Sequence, residues 1–215
     1  RKDYVDKFAR WGIASSEEQF MTASYAACLY MKEHYEGKKV FVLGTPSFVE
    51  ELKGFGVRVT EEAEPDVTCV LVGFDDTLQY EKLAKACELL FREEVDFLGT
   101  NPDLRCPAPF GFIPDCGAIC GMIRDTVGRE PYFIGKPNRV IADLCAEQCR
   151  GSSEEFLVVG DRLYTDIACG INAGVETALV YTGEARKEDL ATTQYQPDYV
   201  YPDIRGLYEA FRASK

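Results

Sequence analysis

The stretch VVGDRLYTD, residues 158–166, decides how this chain is read. Two β-branched residues followed by Gly-Asp read as a strand that ends on a carboxylate, Asp161. In a parallel sheet that carboxylate stands at the carboxyl edge, where open α/β folds bind their ligands. Asp166 follows at the start of a helix and can turn back toward the same spot. Mg²⁺ takes one or two carboxylates and completes its shell with water and phosphate, so the pair is a candidate metal site. The plainer reading makes Asp161 a turn residue and Asp166 an N-cap, and the segment alone does not choose between them.

Working outward, FIGKPN (133–138) brings Lys136 to the end of another apolar strand. There an ammonium can offset the charge of a phosphoryl group and its metal-bound partner. A lone lysine after a strand is ordinarily a solvated surface residue. A strand-end GKP followed by a strand-end GDxxxxD is far more specific.

The rest of the chain alternates short apolar runs with helical patterns, which predicts an α/β architecture with mostly parallel strands. KVFVLG (39–44), DVTCVLVGF (66–74), DFLGTN (96–101), PYFI (131–134), the run ending at Val159 and VETALVYTG (175–183) read as strands. Helices are expected over the first residues, where Tyr4, Val5, Phe8 and Trp11 share a face, and over 46–56, 79–94 and 117–128. A further helix is expected to open at Pro137, and another near Asp166 to close at Gly174. The segment NPDLRCPAPFGFIPDCG (101–117) reads as a loop too irregular for any element.

Composition narrows the function. With 46% hydrophobic residues in 215, the chain can bury a sizeable core. Its 36 acidic against 24 basic residues make nucleic acid and anionic membranes poor partners. No apolar run approaches the roughly 18 residues of a membrane span. Nine scattered cysteines form no CxxC pair, so cytosolic thiols and a cytoplasmic location are expected. Cys116 with Cys120 and Cys145 with Cys149 have helical spacing; a zinc site is conceivable there, packing the expectation. The sole histidine, His34, sits at a polar helix end, which argues against a His-based triad.

The chain resembles the haloacid dehalogenase-like hydrolases, in particular the NagD and p-nitrophenyl phosphatase branch with a large α/β cap. The resemblance rests on FMTASYAACLYMKE, VLVGFDDTLQYEKLAKACELL, FLGTNPD, GAICGMI, GKPN, GDRLYTDIACGINAGVETALVYTG and PDYVYPDI, in that order. It implies a Rossmann-like parallel-sheet hydrolase core with an inserted α/β cap: residues 1–21 and 130–215 as core, 22–129 as cap. It further implies Mg²⁺-dependent hydrolysis of small phosphate monoesters through an aspartyl-phosphate. By the same resemblance Lys136, Asp161 and Asp166 are catalytic, and the two aspartates hold the metal. Asn101, Asp103, Arg105, Lys136 and Asn138 are expected to bind substrate, a small phosphorylated metabolite. A homodimer through the cap is suggested by the resemblance alone.

One departure is large. The branch's nucleophile motif, an apolar strand ending in DxD, is absent from these residues. It is expected in an upstream segment of about fifty residues, the size of an ordinary α/β unit. Without it the core lacks its N-terminal part and this chain alone would not turn over esters. The alternative is an inactive, truncated member that binds phosphate or metal. VLVGFDDTL (70–78) offers Asp75 as a rival nucleophile in a smaller enzyme with no cap, but it reads as a decoy: adjacent carboxylates on an extended chain point to opposite sides, and the segment matches the cap. A receiver-like or dinucleotide module is a distant third reading, since no strand leads into GxGxxG.

Overall fold

Strand β1 (Lys39–Leu43) and strand β3 (Val67–Val72) are apolar along their whole length, the pattern of parallel strands buried on both faces. In the computed structural model, which describes residues 1–214, they lie side by side, Val40 against Cys69 and Val42 against Leu71. With β2 (Arg58–Thr60), β4 (Asp96–Gly99) and β7 (Tyr132–Phe133) they form a parallel sheet of order β2-β1-β3-β4-β7. On one face Phe41, Leu43, Val70, Val72 and Phe97 pack with Leu89 and Leu90 of helix α4 (Tyr80–Leu90) and with Ile119 and Ile123 of helix α5 (Cys116–Val127). The opposite-facing Val40, Val42, Cys69 and Leu71 are buried as well.

Local chemistry explains the helix boundaries in this part of the chain. Helix α1 (Lys2–Arg10) is amphipathic, with Phe8 against Phe20. Thr22 and Thr45 cap α2 (Ala23–His34) and α3 (Pro46–Gly54), and α3 also carries proline in its first turn. Helix α5 starts on the Asp115 side chain and stops at Gly128, whose φ of +72° suits glycine.

The chain divides into two compact units, Arg1–Gly135 and a second that begins at Lys136. The second contains helix α6 (Val140–Cys149) and a three-stranded parallel sheet, β10-β9-β8, from Tyr199–Tyr201, Glu176–Val180 and Leu157–Gly160. Between β8 and β9 run a wide π-helical turn (Leu163–Ile167) and helix α7 (Ala168–Ala173). Gly174 ends α7 at φ +71°, as expected. The buried cluster here is small: Leu163, Ile167, Leu179 and Ala185, with Tyr181, Leu190 and Tyr195 against it. β8 is an edge strand, and Leu157 and Val159 on it remain 40% and 37% exposed.

Several expectations need correction. Residues 101–117 are not irregular throughout: β5 (Arg105–Ala108) and β6 (Gly111–Pro114) form an antiparallel hairpin. Its prolines hid it, yet proline is tolerated in an edge ladder because an outward position needs no N–H. Helix α6 begins at Val140 rather than at Pro137; the Asn138 side chain accepts the Val140 N–H. The turn carrying Asp166 opens at Leu163, so Asp166 lies within its first turn and not at its start. Strand β2 and helix α8 (Ile204–Ala213), capped by Asp203, were not anticipated.

The nine cysteines are free thiols. Cys116 and Cys120 are buried, their sulfurs 3.9 Å apart, and the Cys116 thiol donates to the Val72 carbonyl. Among the described residues no helix is long and apolar enough to cross a membrane.

Candidate active site

β8 ends at Gly160, and the chain must reverse at once to send Asp166 back over the strand end. A Cβ at residue 160 would sit 2.2 Å from the Asp166 Cβ, so only glycine permits the approach. Asp166 is buried, and both its oxygens are engaged. Oδ2 accepts the backbone N–H groups of Asp161 and Arg162 at 3.2 and 3.1 Å. Oδ1 pairs with Lys136 Nζ at 2.5 Å. Asp166 therefore organises the turn and anchors the lysine.

Asp161 is half-buried and differently placed. Its Oδ2 accepts the Glu184 N–H at 2.8 Å, while Oδ1 has no hydrogen-bond partner among the described residues. Lys136 thus meets Asp161 and Asp166, which lie five residues apart in sequence, within one unit. Behind them the Cys169 thiol donates to the Asn138 carbonyl. Burial pushes that thiol up to about 11, against the pull of the nearby Lys136 ammonium.

Of the other expected substrate residues, Asn138 lies in the second unit and Asn101, Asp103 and Arg105 lie in the first. Asn101 follows β4 and accepts the Asp103 N–H at 3.0 Å, an Asx turn. Arg105 opens the hairpin, its guanidinium 4.4 Å from the centre of the Phe112 ring. Asp103 accepts the Gly117 N–H through its carbonyl. Asn101 also borders a cavity of about 750 Å³ whose lining includes Thr45, Ser47, Gly73, Phe74 and Thr100. This cavity lies at the carboxyl ends of β1, β3 and β4. There the connection from β1 runs to β2 and the connection from β3 runs to β4, in opposite directions, the switch point at which parallel sheets offer a crevice.

Asp75, the rival nucleophile, is fully engaged within its own unit. Its side chain is 0% exposed. Oδ1 accepts the N–H and hydroxyl of Thr77, and Oδ2 pairs with Lys82 at 2.7 Å. Lys82 also donates to the Gly44 carbonyl. This carboxylate closes the turn after β3 and ties it to the end of β1.

Residues that the sequence reading passed over complete the site. Gly183 and Glu184 wrap Asp161, and nothing in a short TGE segment announces it, because the partner lies on another strand. Gly160 was legible in the Gly-Asp pair, but its steric role needs the returning Asp166.

Comparisons with known proteins bear on the fold and the family. A haloacid dehalogenase-like hydrolase family model matches residues 1–58, and a HAD-hydrolase-like model matches 133–207. The ribonucleotide monophosphatase NagD of Escherichia coli K12 is 32% identical over 203 residues, 94% of this chain and 78% of that protein. An acid sugar phosphatase of Staphylococcus haemolyticus is 33% identical, covering 94% of this chain and 76% of its own. The crystal structure of 4-nitrophenylphosphatase from Thermotoga maritima superposes with a TM-score of 0.88 at 35% identity, over 97% of this chain and 78% of that one. The α/β fold, the matched models and these relatives together show that the chain belongs to the haloacid dehalogenase-like hydrolases, in their NagD and p-nitrophenyl phosphatase branch, and is by type a phosphoric monoester hydrolase.

Proposed function

We propose that this protein hydrolyses small phosphate monoesters with Mg²⁺, through an aspartyl-phosphate, in the cytoplasm. The observation that carries the reading is the meeting of Lys136, Asp161 and Asp166 at the carboxyl end of β8. The donor set suits Mg²⁺. Among the described residues Asp161 keeps an oxygen without a hydrogen-bond partner, and no group of three or more His, Cys, Asp or Glu that could hold a metal occurs there. Mg²⁺ needs only one or two carboxylates, whereas zinc sites call for three or four protein ligands. Asp161 would hold the ion directly, and Asp166 would hold its waters and fix the turn.

When bound, the metal would neutralise charge on the phosphoryl oxygens. Lys136, oriented by Asp166, would meet the same charge from the protein side. The attacking carboxylate is not among the candidates found here, since Asp75 is engaged elsewhere. The free edge of β8, with exposed Leu157 and Val159, supports a further parallel strand there, because soluble proteins seldom leave such an edge bare. A strand in that place would end near Asp161 and could carry the nucleophile.

The division into core (1–21 and 130–215) and cap (22–129) goes with this reading, as does a homodimer. Substrate contacts by Asn101, Asp103, Arg105, Lys136 and Asn138 go with the same reading. Relatives named for ribonucleotides and for sugar phosphates support a substrate of that size.

The test is p-nitrophenyl phosphate hydrolysis by the purified protein of natural length, its mass determined on the same sample, with and without Mg²⁺. Mg²⁺-dependent turnover that vanishes in Asp161→Asn supports the proposal. Turnover that survives in Asp161→Asn and is lost in Asp75→Asn would overturn it.

A further inference from the structure

The Asp161 carboxylate is held by a loop that is itself tied down by side chains. Its Oδ2 accepts the Glu184 N–H at 2.8 Å, and its carbonyl accepts the Ala185 N–H at 2.9 Å. Residue 183 is glycine, and a Cβ there would come within 1.8 Å of Asp161 Oδ2, so the loop backbone lies directly on the carboxylate. The Glu184 carboxylate is gripped at both oxygens. Arg162 Nε reaches Oε2 at 2.9 Å, and the Tyr164 hydroxyl donates to Oε1 at 3.0 Å. Both grips come from the turn that carries Asp161 and Asp166. The contacts close a ring from Asp161 through the backbone and side chain of Glu184 to Arg162, the residue next to Asp161.

We infer that Glu184 is a positioning residue for Asp161. Its side chain, clamped by Arg162 and Tyr164, keeps the loop where the Glu184 N–H holds Oδ2, which leaves Oδ1 as the oxygen presented to a cation. The inference rests on the proposed reading of Asp161 as the Mg²⁺ ligand. An unpinned carboxylate rotates about its last bond, and each orientation it gains in the free state must be given up when an ion binds. Partners that orient a ligand in this way change metal affinity roughly 10- to 100-fold when removed. A half-exposed ion pair adds little to global stability, so the effect should read on the ion and not on the fold.

The experiment is calorimetric titration of Mg²⁺ into the purified wild-type protein, Asp161→Asn, Glu184→Ala and Glu184→Gln, with thermal melts of each free of Mg²⁺. Wild type is expected to bind and Asp161→Asn not to. Glu184→Ala should bind roughly tenfold more weakly, at the lower end of the range for an orienting partner. Glu184→Gln keeps an acceptor for Tyr164 and loses the charge facing Arg162, so its loss should be smaller, about threefold. Neither variant should lower the melting temperature by more than about 2 °C, as befits a half-exposed pair. Amide exchange at residue 184 should quicken in Glu184→Ala. Binding by both Glu184 variants at wild-type affinity, with Asp161→Asn silent, would sink the positioning role and leave the metal reading standing. Loss of affinity that only tracks a large fall in melting temperature would make Glu184 a structural residue. Should the alanine variant not fold, the glutamine variant decides. If wild type binds no Mg²⁺, or Asp161→Asn binds it equally, the metal reading falls and this inference with it.

Discussion

The two parallel sheets of this molecule are built from the same kind of strand and finished differently. In the first unit β1 and β3 are flanked on both sides and buried on both faces, with α4 and α5 sealing one of them. In the second, three strands stand over a small cluster, the outer strands β8 and β10 have no further partner strand among the described residues, and helix α8 leaves Ile204, Tyr208 and Phe211 exposed. Each sheet carries an aspartate just past a strand end. In the first sheet Asp75 is sealed off and neutralised by Lys82; in the second Asp161 keeps an oxygen with no hydrogen-bond partner among the described residues. The contrast separates a carboxylate that stabilises from one that can bind, though both follow apolar strands.

The sharpest way to break that contrast is a matched pair of substitutions. Asp161→Asn should cut phosphatase turnover roughly 10³-fold, the several kcal/mol that a lost metal represents, with little change in melting temperature. Asp75→Ala should do the reverse. It leaves Lys82 facing a buried, unpaired site and should lower unfolding free energy by about 3 kcal/mol in a denaturant titration, discounted because Lys82 is partly exposed. Its turnover below the melting transition should stay near wild type. An inactive but stable Asp75→Ala protein would invert the assignment.

Next in size, Lys136→Ala should cost about 10²-fold in turnover, the scale of one electrostatic donor. It also frees Asp166 Oδ1, so the loss should not be recovered by added Mg²⁺. Equal loss in Lys136→Arg would point to shape at the Asp166 contact more than to charge.

The smallest effect is a difference in reactivity between thiols. Burial pushes Cys28 up to about 12 and Cys169 up to about 11, so both stay protonated at pH 8, and the thiolate is the form that reacts. Cys149 is exposed. Iodoacetamide at pH 8 should label Cys149 first and the two buried thiols only as the chain unfolds, read by peptide mass mapping. Early labelling of Cys169 would mean the second unit breathes more than its packing suggests.

Much of this was legible in the residues themselves. Continuous apolar runs in VFVL and TCVLV announce parallel strands, and Gly174 announces a helix stop. These signals are local: a cap or a burial pattern depends on neighbours within a few residues. Gly-Lys-Pro and Gly-Asp named the candidate site for the same reason, since strand ends are written in the chain. The hairpin at 105–114 was not legible, because its pairing overrides the prolines that mark it as loop.

What the sequence by itself determined, then, is the alternation of strands and helices, the family, and which carboxylates and lysine follow strands. Only the tertiary structure decided what each of those groups is free to do. Asp75 and Asp161 both follow apolar strands, and the sequence set Asp75 aside only through its adjacent Asp76 and its match to the cap. The difference lies in Lys82 reaching back from the next helix and in the Gly183–Glu184 loop arriving from another strand. Hydrogen bonds saturate, so a carboxylate's availability is set by who else is within 3 Å of it, and that is a property of the folded chain.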